Sequence, residues 1–240
     1  MTAIQPPRFA ATQPTPGPDI TTAAYRDAYS RINAVVVVGE GLADRHFRLL
    51  AQAIPEDHRT LLGLAAMEGR HAREFVGCGR HLGIRPDLPM ARRLFAPLHD
   101  LFLACHRAAD RAGCLVIQGL VVECFAVAAY EAYLPVADAG AQPITAAVLA
   151  DEQEHLGYAE RWLQERFSAV EAGVRAVCRQ ALPVALGMLL SLSKDMRAIG
   201  IDPADVLAGF VDRFQQALES IGFESREARR LIGAASIGHL

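Results

Sequence analysis

Apolar residues recur along this chain at helical spacing, and glycine and proline cut the pattern into helix-length blocks with almost no strand-like alternation. A first helix is predicted over about 22–53, stopped by Pro55, and a second over about 56–83, stopped near Gly83 and Pro86. A third covers about 90–108, a fourth about 111–139 and a fifth about 142–167. A sixth spans about 169–198, with Pro183 as a candidate kink. A seventh starts at Pro203 behind Asp202, an N-cap followed by proline at the first helical position, and reaches about Ser220. A short eighth follows from about Ser225. The run Val35–Val38 has strand propensity, but it sits inside a long block without turn signals and is read as helix.

The first, second, fourth and fifth helices are each long enough for a four-helix bundle, with the others packed outside it. The expected fold is therefore all-α, with residues 22–240 as a single domain. A weak internal symmetry agrees, since Glu40 precedes Glu68 by about as many residues as Glu123 precedes Glu152. Residues 1–21 carry Pro6, Pro7, Pro14, Pro16 and Pro18 and read as a disordered or loosely packed tail. They lack the basic start and apolar stretch of a signal peptide.

Two segments read Glu-x-x-His: Glu68-Gly69-Arg70-His71 and Glu152-Gln153-Glu154-His155. Residues three apart on a helix share a face, so each pair can grip one metal ion. One such pair is a weak signal, common on exposed helices. Two lone acids change its weight. Glu123 is the only charge between Leu115 and Tyr130, and Glu40 follows the apolar run from Ile32 to Gly39. A carboxylate on a helix buried nearly all round must be protonated, paired or bound to metal. The order Glu, Glu-x-x-His, Glu, Glu-x-x-His is that of ferritin-like di-metal carboxylate proteins. Glu40, Glu68, His71, Glu123, Glu152 and His155 are thus the expected ligands of two metals. Mixed N and O donors without thiolates suit iron or manganese better than structural zinc. Asp151 is the candidate outer partner of His71, and Arg70 the candidate to hold Asp151.

Composition removes other classes. A net charge of −3 gives no reason to expect nucleic acid, and 52% hydrophobic residues can fill a large core. No uncharged apolar run has membrane length, so no membrane span is expected. Cys78, Cys105, Cys114, Cys124 and Cys178 are odd in number and scattered, which suits a reduced, cytoplasmic protein.

Several stretches go beyond a shared metal motif. They include Tyr25–Ala34, Met67-Glu68-x-Arg70-His71, Cys78-Gly79, Glu123–Ala126, Tyr133–Ala139, Asp151-Glu152-x-x-His155 and Ile221-Gly222-Phe223. In these the chain resembles the bacterial aldehyde-deformylating oxygenases, also called fatty aldehyde decarbonylases, from about residue 22 to the C-terminus. The resemblance implies a di-iron enzyme, with Fe/Fe favoured over Fe/Mn and O2 as co-substrate. It would convert a long-chain fatty aldehyde into an alkane one carbon shorter plus formate. The electrons would come from a donor such as ferredoxin with its reductase, and an aldehyde-producing reductase is a further expected partner. The chain departs from the family pattern at Val38-Gly39, at Glu131 and at Gln153-Glu154, none of them a ligand.

Such a substrate needs an apolar tunnel ending at the metals. The face of the first helix before Glu40 offers Val36, Asn33, Ile32 and Tyr29. The face of the fourth after Glu123 offers Ala126, Val127 and Tyr130. Gly119 and Ala126 are small enough to leave room, and Phe75 and Phe95 are candidate walls. Arg80, Arg85, Arg92 and Arg93 form a candidate docking face for an acidic electron donor. The other histidines lack partners at ligand spacing. Three alternatives stay open: the same scaffold acting on another lipid-like or carrier-bound substrate, an iron-storage protein, and a radical-generating subunit, for which Tyr130 is the candidate tyrosine.

Overall fold

The computed structural model describes residues 18–236, so most of the expected tail lies outside it. The described residues form helices and no strand. The long helices are α1 (Ala23–Ala53), α2 (His58–His81) and α3 (Leu88–Arg107). Next comes a broken rod of α4 (Arg111–Leu115), a π-helical turn (Val116–Val122) and α5 (Glu123–Tyr133). Then follow α6 (Ala141–Glu165), α7 (Phe167–Ala198), α8 (Pro203–Ile221) and α9 (Ser225–Ser236).

Local chemistry sets the ends. Thr22 accepts from the Tyr25 amide at 3.2 Å and Asp87 from that of Met90 at 3.1 Å, each closing an N-terminus. Asp202 accepts from the Ala204 amide at 2.9 Å, with Pro203 at the first helical position as expected. Gly222 ends α8 at φ 128°, a conformation that a side chain would resist, and the Phe167 ring fills the space where a Cβ would stand. Val35–Val38 lies within α1, as burial demands.

α1, α2, the α4–α5 rod and α6 make the four-helix bundle, paired as α1 with α2 and α5 with α6. α3 covers α1, α7 packs against α1 and the π-helical turn, and α8 covers α5. Side chains from these helices fill one continuous apolar core. Two stretches, Arg111–Val136 and Phe167–Ala198, are long and apolar enough to cross a membrane, yet 78% of the first one's most apolar window is buried inside the protein. Packing between helices accounts for its apolarity.

One expectation needs correction. The fourth helix is not a single α-helix over 111–139. It is interrupted by the π-helical turn, and after Tyr133 it passes through a short 3-10 turn that ends at Val136. By contrast α7 runs through Pro183 as one helix.

Candidate metal centre and its cavity

Each bundle helix brings its acid inward. α1 presents Glu40, α2 presents Glu68 and His71, α5 presents Glu123, and α6 presents Glu152 and His155. All six are buried. They fall into two overlapping sets, Glu40, Glu68, His71 and Glu152, and Glu68, Glu123, Glu152 and His155. Within each set the donor atoms lie within 4.8 Å of one another. Glu68 and Glu152 belong to both, so they stand where bridging carboxylates between two cations would stand.

The imidazoles face the acids with Nδ1. His71 Nδ1 lies 3.4 Å from Glu40 Oε2, 3.4 Å from Glu68 Oε2 and 3.5 Å from Glu152 Oε1. His155 Nδ1 lies 3.0 Å from Glu152 Oε2, 3.1 Å from Glu68 Oε1 and 3.8 Å from Glu123 Oε2. Both Glu68 oxygens and His71 Nδ1 are buried without a hydrogen-bond partner among the described residues. Buried polar atoms left in this state are costly unless something else satisfies them. Four carboxylates balance the charge of two divalent cations, so the donor set fits such a pair.

Electrostatics point the same way. Burial, reinforced by the charges of Glu152, Glu123 and Glu40, holds the Glu68 carboxyl well above the usual carboxylate range. Burial and the Glu152 charge push Glu123 up to about 8. Burial opposes charge on His71, but its contacts with Glu152, Glu40 and Glu68 outweigh it and raise its pKa to about 12. His155 is raised in the same way against burial by Glu123, Glu152 and Glu68. Without cations, therefore, protons stand in for them.

The outer contacts agree with the sequence. Asp151 accepts from His71 Nε2 at 3.0 Å and from an Arg70 terminal nitrogen at 2.6 Å. Tyr130 donates a short hydrogen bond to Glu40, and its hydroxyl is held protonated by burial and by the Glu40 charge. Glu131, a departure from the family pattern, forms an ion pair with Arg213 of α8.

A cavity opens beside the acids. Glu40, Glu68, Glu123 and Glu152 border it at the cluster, and most of the remaining wall is apolar. Tyr29, Ile32, Val36, Phe75, Phe95, Ala126 and Tyr130 line it, and so does Asn33. Gly39 lets Phe95 come close, since a Cβ there would stand 3.1 Å from the Phe95 ring. Gly119 does not line the cavity. A Cβ at Gly119 would stand 2.4 Å from the Ala159 Cβ, so its smallness serves the crossing with α6. Val127 is buried elsewhere in the core. Cys78 is also absent from the wall, and burial pushes its thiol up to about 11, as for a packing residue.

Sequence reasoning missed two groups. The first is the α7 wall of the cavity, Ala185, Met188, Leu192 and Met196. Their spacing was visible, but a cavity wall and a packed core share the same apolar signal. The second is a polar column behind Glu123. Gln118 Nε2 donates to Glu123 Oε1 at 2.8 Å, and Gln118 Oε1 meets His46 Nδ1 at 2.6 Å. His46 Nε2 in turn meets His99 Nδ1 at 2.8 Å. In an α-helix, residues five apart point about 140° away from each other. The π-helical turn, with its i→i+5 register, stacks Gln118 beneath Glu123. A lone glutamine in an apolar stretch was the available signal.

Comparisons with known proteins agree with this geometry. A solved structure described as protein 19 with aldehyde deformylating oxidase activity, from Synechococcus, is 63% identical. The match covers 90% of this chain and 99% of that one, with a TM-score of 0.89. The family profile of long-chain fatty aldehyde decarbonylases matches residues 22–237, nearly the whole chain. The chain belongs to the long-chain fatty aldehyde decarbonylase family.

Proposed function

We propose that this protein is a di-iron, O2-dependent oxygenase that deformylates a long-chain fatty aldehyde to an alkane one carbon shorter plus formate. The observation that carries this reading is a buried set of four glutamates and two histidines bordering an apolar cavity. Glu40, Glu68, His71 and Glu152 would hold one iron, and Glu68, Glu123, Glu152 and His155 the other. When bound, the two irons would supply the reductive chemistry of O2.

The protein's own residues do the rest. The apolar wall binds the alkyl chain and excludes bulk water from it. The polar aldehyde group would stop at the cluster end, where the irons would sit. Phe75 and Phe95 confine that end, and Tyr130, on the same wall, holds Glu40 by its hydroxyl. The reaction takes in aldehyde, O2, electrons and protons, and releases alkane, formate and water. The electrons come from an external donor such as ferredoxin and its reductase. Arg80, Arg85, Arg92 and Arg93 are all exposed and offer that donor a basic face. An aldehyde-producing reductase would supply the substrate.

Anaerobic loading with Fe(II), followed by O2, a reductant and a long-chain aldehyde, tests the reading through the yields of alkane and formate. Glu123→Gln should lose iron and product together. Wild-type protein that binds two irons yet forms neither alkane nor formate would overturn the assigned reaction. Full iron retention and full activity in Glu123→Gln would overturn the ligand assignment.

A further inference from the structure

The column behind Glu123 lies outside the six proposed ligands. Its hydrogen bonds can be assigned a direction. When Glu123 holds a cation its carboxylate only accepts, so Gln118 must turn its NH2 toward Oε1. The Gln118 carbonyl oxygen then faces His46 Nδ1, which must carry a proton. Burial outweighs the Gln118 hydrogen bond, which favours charge, and with the charges of His99 and Arg45 pushes His46 down to about 3, so its ring is neutral and has a single N–H. Nε2 therefore accepts, and His99 Nδ1 donates to it. Each donor points inward, from half-buried His99 to the carboxylate. The His46 ring is also stacked on Phe102, with centroids 3.7 Å apart and planes 13° apart, which leaves it little freedom to turn.

We propose that His46 is a positioning residue for Glu123: acting through Gln118, it fixes one oxygen of that carboxylate and leaves the other for the metal shared with Glu68, Glu152 and His155. The proposal rests on the di-metal reading above. Its physical content is the orientation of one amide. Glu123 Oε2 is the oxygen that faces His155 Nδ1, at 3.8 Å, while Oε1 is taken by Gln118. Without the N–H of His46, the buried Gln118 carbonyl has no donor, and the amide can leave its place at Oε1 to find one, which frees Glu123 to move. The effect should fall on one metal of the two, because the other set contains Glu40 and His71 in place of Glu123 and His155.

Anaerobic Fe(II) titration of the full chain tests this on wild type, His46→Leu and His46→Asn. Leucine keeps the packing and removes both ring nitrogens. Asparagine places a side-chain N–H close to where Nδ1 stood. His46→Leu should weaken the second iron by on the order of tenfold or more, as loss of an outer-sphere partner does, and leave the first unchanged. His46→Asn should regain most of that loss. A wild type that does not bind two irons overturns the centre and this proposal with it. If wild type binds two irons and His46→Leu binds both as tightly, the positioning role is overturned and the centre stands. Equal weakening in the leucine and asparagine variants would assign the effect to packing on Phe102 and also overturn it. If His46→Leu does not fold, Gln118→Met removes the link through which His46 acts, and an unchanged second iron in that variant overturns the proposal.

Discussion

Replacing Asp151 with alanine should loosen one metal of the pair and spare the other. Asp151 is the acceptor for His71 Nε2, and His71 belongs only to the set with Glu40. The bond keeps the ring proton on Nε2 and the Nδ1 lone pair toward the acids. Burial of Asp151 opposes its charge, but the hydrogen bonds from His71 and Arg70 outweigh that and hold its carboxyl below the usual range. Loss of such an outer partner costs about 10–100-fold in metal affinity. Exposure decides where in that range the effect falls. His71 is fully buried, but the Asp151 side chain is 34% exposed, so water can take over part of the acceptor role. The lower end follows, about tenfold or 1.4 kcal/mol. Arg70→Ala should cost less, since Arg70 reaches His71 only through Asp151 and its side chain is 46% exposed. Iron per chain, measured by anaerobic titration under limiting Fe(II), should fall from two toward one in Asp151→Ala. Asp151→Asn, which keeps an acceptor oxygen, should lie between. Two irons bound by Asp151→Ala with wild-type affinity would refute the argument and reduce the contact to a surface ion pair.

Ala126→Phe adds an aromatic ring to the cavity wall next to the cluster. It should shift preference to shorter aldehydes or abolish turnover with iron still bound; kinetics across chain lengths check this, and an unchanged preference would place the chain elsewhere. Gly119→Ala should destabilise the fold by about 1–2 kcal/mol in denaturant unfolding, because its Cβ would collide with Ala159 across a backbone-close crossing. That is the net figure: overpacking costs about 2–3 kcal/mol, of which helix propensity returns about 1 kcal/mol; chain-length preference should not change. Iron affinity should rise with pH up to about 8 and climb less steeply above it. Glu123, raised to about 8, is protonated below that point and must release its proton on binding, whereas His71, raised to about 12, releases one throughout. Each proton displaced is worth about tenfold per pH unit, so an affinity that does not change with pH would contradict the assigned protonation.

The six proposed ligands were legible because burying charge is expensive. A carboxylate in Leu115–Tyr130 needs a reason, and two Glu-x-x-His pairs supply one that a helical repeat makes geometric. Asp151 was legible for a related cause, since it lies one position before a ligand and can reach across to the other Glu-x-x-His helix. Gln118 and His46 were not legible, because their contact depends on a backbone register. Read as an α-helix, Gln118 points away from Glu123; only the turn Val116–Val122, with its wider spacing, brings them together. Nothing in a run of valine, isoleucine, glycine and leucine announces that change of register. Gly119 shows the opposite failure. Its smallness is legible but its purpose is not, because a small residue near a ligand can make room for a substrate or for a neighbouring helix. Only the distance to Ala159 separates these two reasons. The same ambiguity hid the α7 wall. Met188 and Leu192 follow the ordinary periodicity of a packed face, and what makes them a cavity lining is the space left between them and residues of the other helices, α1, α3 and α5 among them, a property of the assembled helices and of none of their sequences alone.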